Sequence, residues 1–110
     1  MMHKERGVGL LEKNNKKFVW DEEKHKANIK KHDVSFQEAA TVFDDDNAVY
    51  FDDEEHSENE ERFRVIGFSE RVRLLMVCHC YRNGNNLIRI ISARKANKRE
   101  VAQYDKGGWL

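Results

Sequence analysis

Proline is absent from this 110-residue chain, cysteine occurs twice, and the formal charges cancel, with twenty basic and twenty acidic residues. A chain without proline whose segments are strongly patterned does not read as disordered. Cys78 and Cys80 stand one residue apart, too close for an ordinary structural disulfide, which suits a reducing compartment. No apolar run approaches the roughly 18 residues of a membrane span, and the opening "MMHKERGVGLLEKNNKKF" lacks an apolar stretch of signal-peptide length. The sequence therefore predicts a cytoplasmic protein that does not enter membranes. There is no glycine-rich phosphate loop, no zinc-finger spacing and no defensible Ser-His-Asp order.

The zero net charge is an average of unlike parts. Residues 44–61, "DDDNAVYFDDEEHSENEE", hold ten Asp and Glu with no Lys or Arg, so the remainder carries a charge of plus ten. A basic body favours polyanions such as nucleic acid. The acidic run is either a solvated loop or an arm that meets a basic partner or shields the chain's own basic face.

At this length one domain is expected, spanning 18–106, with a polar N-terminal extension over 1–17 and a short tail over 107–110. "KFVW" reads as a strand. Asp21 is a good N-cap for the helix "EEKHKANIKKH", whose apolar anchors are Ala27 and Ile29. Ser35 and Glu38 form a capping-box pattern, and Phe36, Ala39, Ala40 and Phe43 share one helical face. Strands follow at 48–51, 62–68, 74–81 and 87–93, with Asn83-Gly84 as a hairpin turn. "ANKREVAQYD" makes a final helix with Val101 and Tyr104 toward the core. The order β-α-α-β-β-β-β-α defines an α+β domain with a small, mainly antiparallel sheet and helices packed on one face.

Strand alternation assigns faces once the turns are counted. A four-residue link at 70–73 puts Arg64 opposite His79 and Arg62 opposite Tyr81. A two-residue turn at Asn83-Gly84 puts His79 on the same face as Ile88, Ile90, Ser92 and Arg94. The opposite face is then almost wholly apolar, with Phe63, Val65, Gly67, Met76, Cys78, Cys80 and Ala93. The first face, mixing Arg62, Arg64, His79, Tyr81 and Arg94, suits phosphates and stacked bases. Its rim continues into the cationic run Arg94, Lys95, Lys98 and Arg99. Arg89 falls on the apolar face and needs a carboxylate, with Asp21 or Asp44 as candidates and a structural ion pair as its expected role. Cys78-His79-Cys80 does not converge on one ion, because adjacent strand residues alternate faces. His25 and His32 read as solvated helix residues. No metal and no cofactor are expected.

Several segments together resemble the BrnT toxins of type II toxin–antitoxin systems: "FVWDEEKHKANIKKHDVSFQEAATVFDD", "DDEEHSENEERFRVIGFSERVRLLMVCH" and "RIISARKANKRE". The resemblance runs from about Phe18 to Tyr104; the acidic stretch and the N-terminal extension exceed its pattern. It implies a RelE-like fold, cleavage of RNA that halts translation, and a BrnA-like ribbon-helix-helix antitoxin through which the protein meets operator DNA only indirectly. Joined to the face argument, it gives a metal-independent ribonuclease in which the RNA 2′-OH attacks its neighbouring phosphate. Arg64 and Arg94 would oppose phosphate charge and His79 would be the acid or base. Glu100 would be a base or orient Arg94 or Arg99. Arg62, Tyr81, Lys95, Lys98 and Arg99 would bind RNA, Tyr81 by stacking or by orienting His79. The alternative is a catalytically silent module that holds an antitoxin in a promoter-repressing complex.

Overall fold

The computed structural model describes residues 7–57, 59–84 and 86–107. Its elements are β1 (Val8–Lys13), β2 (Lys16–Asp21), α1 (Glu22–His32), α2 (Phe36–Thr41), β3 (Val49–Asp52), β4 (Phe63–Phe68), β5 (Leu74–Arg82), β6 (Leu87–Lys95) and α3 (Lys98–Asp105). They form one six-stranded sheet in the order β1-β2-β6-β5-β4-β3. Every pairing is antiparallel except β2 with β6. The α+β class and the mainly antiparallel sheet match the sequence reading.

The N-terminal segment departs from it. Residues 8–13 are not a loose extension but an edge strand paired along its length with β2. The turn is Asn14-Asn15, both at positive φ (51° and 66°), a conformation asparagine tolerates and a tight hairpin requires. Glycine is needed at Gly9, where a Cβ would lie 1.9 Å from Trp20 Nε1. Residues 1–6 of the expected extension and 108–110 of the tail lie outside the described residues.

Asp21 caps α1 as expected, its carboxylate accepting from the Glu23 and Lys24 N–H groups. The buried side of α1 is different. Ala27 and Ile29 face solvent, and the buried residues are His25 and Asn28. His25 stacks on Phe36 with centroids 5.0 Å apart and donates Nδ1–H to Glu22. It is therefore a core residue, not a solvated one. Asn28 bolts the helix to the sheet: its amide donates to Val34 O and Ala93 O, both at 2.9 Å, and its oxygen accepts from Ala93 N at 3.1 Å. Because β2 pairs with β6 only over Leu87–Arg89, Asn28 stands in for the missing strand beyond that point.

Ser35 caps α2, but Glu38 does not close the capping box. It turns instead to Ser69 Oγ at 2.7 Å and to the guanidinium of Arg73. The apolar stripe of α2 is as predicted, and Phe36, Ala39, Ala40 and Phe43 join Phe18, Trp20, Val65, Leu75, Val77, Ile88, Ile90 and Ala93 in the core. Helices α1 and α2 cover this face. Helix α3 lies along the other one, where Glu100 meets Arg94 and the Tyr104 ring meets Phe68 at 5.4 Å. Its buried residue is Glu100; Val101 is exposed.

Two tests follow. Asn28→Ala leaves Val34 O and both backbone groups of Ala93 unsatisfied and should lower unfolding free energy by about 3 kcal/mol in urea, with an unchanged m-value. The second concerns Glu38, whose hydrogen bond with Arg73 outweighs burial and holds its carboxyl below its ordinary value of 4.5. A depressed carboxyl contributes stability that is full above the unfolded value and is lost as pH falls through the folded one. Glu38→Gln should therefore be less stable than wild type by about 3 kcal/mol at pH 7. That gap should narrow steadily below pH 4.5 in parallel denaturation series.

Candidate functional site

The strand register decides which side chains share a face, and two of its three departures from the sequence count change that assignment. Phe68 pairs with Leu74, so the β4–β5 link holds five residues, 69–73, rather than four. Ser69 N–H donates to Arg73 O, and Val72 takes φ 60° to close it. This one-residue shift sets Phe63 opposite His79 and Arg64 opposite Cys78. The β5–β6 hairpin closes at Arg82↔Leu87 rather than across Asn83-Gly84 alone, a change that keeps His79 with Ile88 and Ile90. A bulge then intervenes: His79 pairs with Ile90 but Cys78 with Ser92, leaving Ile91 extra. Past the bulge the alternation reverses, as an inserted residue requires, and Ser92 and Arg94 turn to the face of Arg64.

The two shifts reunite Arg64 with Arg94 and remove His79. His79 is fully buried on the helix-covered face, ringed by Phe43, Tyr50, Phe63 and Tyr81. Its Nδ1–H donates to Val77 O and its Nε2 accepts from Tyr81 O–H, each at 3.3 Å. Burial pushes its pKa down to about 4, so it is a neutral core aromatic. The placement of His79 and Tyr81 on an open phosphate-facing surface is corrected accordingly.

The other face of β4–β6 floors a cleft of about 850 Å³, walled on one side by α3 and on the other by Phe51–His56. Arg62, Arg64, Arg94, Arg99 and Glu100 line it. Arg94 and Glu100 form a two-pronged pair, Nη1–Oε1 at 2.8 Å and Nη2–Oε2 at 2.9 Å. Glu100 also accepts the Asn97 N–H, closing the capping box that starts α3. Burial raises the Glu100 pKa, but Arg94 and the Asn97 amide outweigh it and hold the carboxyl below its ordinary range. Arg64 makes no ion pair or carboxylate hydrogen bond among the described residues, though its charge adds, after that of Arg94, to the lowering of Glu100; its guanidinium lies 5.6 Å from the centre of the Phe51 ring. Lys95 and Lys98 are exposed outside the lining.

The acidic segment is part of this architecture. Asp45 accepts from Phe68 N–H and Tyr104 O–H, at 2.8 and 2.7 Å. Asp53 accepts the Cys78 thiol at 3.5 Å, and Glu60 meets Arg82 at 3.1 Å and Arg89 at 3.4 Å. The Arg89 contact is with Glu60 rather than with Asp44, which lies within 4.0 Å of Lys13 and Lys16. Counted over the lining, four guanidinium groups face five carboxylates. The open face is thus not simply basic: cations form the floor and the α3 wall, and Asp52, Asp53, Glu54 and Glu55 form the opposite rim. Sequence reasoning passed over His56 within that acidic run; a histidine three residues after an aspartate was the available signal.

Clustered arginines on a sheet floor, one locked by a buried glutamate, are the kind of donors an anionic group requires, here in a small α+β protein. Residues 20–100 match the family model of the ribonuclease toxin BrnT of type II toxin–antitoxin systems, and the chain belongs to that family. No curated protein matches it. The crystal structure of the Brucella abortus ribonuclease toxin BrnT is similar, with a TM-score of 0.53 and 25% identity over 72% of this chain and 94% of that one. Strand β1 precedes the matched region.

The cleft also contains a thiol. Burial, then the charge of Asp53, push the Cys78 pKa up to about 11. Cys78 and Cys80 are both buried. Native protein at pH 8 should react with a thiol reagent such as DTNB at least ~10²-fold more slowly than urea-unfolded protein. Equal rates would place the thiols at the surface.

Proposed function

We propose that this protein is the toxin of a type II pair, an endoribonuclease that cleaves RNA without a metal ion and thereby stops translation. The observation that carries this reading is the placement on one floor of Arg94, fixed by the fork of Glu100, with Arg64, which makes no direct ion pair among the described residues. The 2′-oxygen attacks the adjacent phosphorus, and the phosphorane gains charge on its non-bridging oxygens. Arg94 is already oriented when that charge develops, and Arg64 makes no ion pair that must first be broken; both lower the barrier at little reorganisation cost. Glu100 acts as a positioning residue, because a carboxylate held in a fork and below its ordinary pKa is a weak base. Arg62 and Arg99 extend the contact to neighbouring phosphates.

The family supplies the partner class, an antitoxin. A BrnA-like ribbon-helix-helix antitoxin would neutralise the toxin by covering the cleft, and only it would touch operator DNA. The two buried free thiols suit the cytoplasm, where the substrate is. No helix among the described residues is long and apolar enough to cross a membrane.

A second reading, a silent module that holds an antitoxin, is favoured by the acidic rim, which offsets the arginines for any polyanion. Cleavage of a structured RNA of mixed sequence in excess EDTA separates the two. Wild type should cleave, and Arg94→Ala should be about 10²- to 10³-fold slower. Equal cleavage by both would remove the site from the cleft. Absence of cleavage together with absence of growth arrest on expression alone would establish the binding module.

A further inference from the structure

With His79 buried, the cleft needs another proton acceptor, and its lining offers few. Glu100 has both oxygens in the Arg94 fork. The Cys78 thiol stays protonated and donates to Asp53. Asp52, Glu54 and Glu55 are exposed at the rim, and no side-chain hydrogen bond or ion pair orients them among the described residues. His56 differs from all of these. Its Nδ1 lies 3.1 Å from each oxygen of Asp53. A carboxylate only accepts, so Nδ1 carries a proton, and in the neutral imidazole Nε2 is the nitrogen that presents a lone pair. Nε2 has no partner among the described residues, and the side chain, 60% exposed, lines the cleft.

The turn that carries His56 is anchored to the strand that carries Arg64. Asp53 N–H donates to Arg62 O at 2.8 Å, and Arg62 N–H donates to Ser57 Oγ at 2.9 Å. Asp53 O accepts from Ser57 Oγ at 2.8 Å and from His56 N–H at 3.2 Å. The carboxylate of Asp53, a buried residue, accepts from the Cys78 thiol of the sheet. A thiol, a buried carboxylate and an imidazole thus run in series from β5 to the cleft. This is the way a base is oriented by a third group.

We propose that His56, held by Asp53, is the general base of this cleft. The proposal deepens the ribonuclease reading and rests on it. Neutral Nε2 takes the proton of the ribose 2′-hydroxyl as the 2′-oxygen bonds to phosphorus. The P–O5′ bond then breaks, and the departing O5′ takes a proton from water. The products are a 2′,3′-cyclic phosphate and a 5′-hydroxyl end, and the imidazolium returns its proton to solvent. Arg64 and Arg94 oppose the charge on the phosphorane. The other charged or titratable groups facing the imidazole across the lining are Asp52, Asp53, Glu54 and Glu55 on its own wall, Arg62 on the floor beside Cys78, and Arg99 and Glu100 on α3.

The test compares wild type, His56→Gln, His56→Ala and Arg94→Ala on the same RNA in EDTA, reading kcat/KM against pH together with RNA affinity. His56→Gln should lose about 10²- to 10⁴-fold in kcat while binding RNA within about threefold of wild type. The acid-side fall in the wild-type profile should disappear in this variant, and added imidazole should restore His56→Ala in proportion to its concentration. Three results would overturn the proposal and leave the nuclease reading intact: His56→Gln cleaving at the wild-type rate while Arg94→Ala does not, an acid limb that persists in His56→Gln, or no response of a folded His56→Ala to imidazole. Wild type and Arg94→Ala failing alike would bring down both.

Discussion

Past Arg89, β6 has no strand on its β2 side among the described residues, and the way that gap is closed governs the rest of the molecule. The chain leaves β2 at Asp21 to enter α1, so the backbone of Ala93 would be a buried donor and acceptor without a ladder. The Asn28 side chain returns both bonds and ties Val34 O to the same point. Unsatisfied, each of these groups would cost on the order of 1–3 kcal/mol. The clamp also holds β6 just beyond its bulge, in the alternation that puts Ala93 into the core and Ser92 and Arg94 on the opposite face. The helix layer and the cleft are therefore two consequences of one amide. Its polar character is what let it escape an apolar-stripe reading of α1, which selected Ala27 and Ile29.

Local chemistry made much of the fold legible: the Asp21 and Ser35 caps, the stripe of α2, and the strand runs each rest on residues within one turn of each other. Register was harder, because parity depends on loop counts that one residue changes. The five-residue β4–β5 link moved Arg64 to the other side of β5 from His79. The bulge at Ile91, which no composition signal announces, moved Arg94 as well. The expected association of the two arginines and their actual one coincide because two displacements cancel, while His79 experienced only one of them relative to each. Asn14-Asn15 was readable as a hairpin turn between "GLLEK" and "KKFVW", but the polar flanks hid it. The partners of Arg89 and Glu38 are 29 and 35 residues away, beyond any local pattern.

Charge in this protein is organised by burial rather than by totals. Buried or half-buried carboxylates are each committed to a specific donor: Glu38 to Arg73, Glu100 to Arg94, Asp45 to Tyr104, Asp53 to His56 and Cys78. Tyr104 illustrates the consequence, since burial and then the Asp45 carboxylate raise its pKa to about 12 and keep it a donor. The acidic segment is consequently a structural wall whose inner residues hold the sheet edge and whose outer residues remain in water.

That division bears on how a cleft with more carboxylates than guanidinium groups handles an anion. Asp52, Glu54 and Glu55 are exposed, so their fields are attenuated by water and by salt over a Debye length of about 8 Å. Arg64 and Arg94 are partly buried on the sheet floor, where the effective dielectric is lower and each charge counts for more at contact range. A phosphate seated on the floor therefore gains from the arginines at short range, whereas a polyanion approaching from solution first meets the rim. The arrangement trades long-range attraction for short-range discrimination. On the proposed reading it favours a single phosphodiester delivered to the floor over a backbone laid along the surface, which is the distinction a cleaving site requires and a general nucleic-acid binder does not.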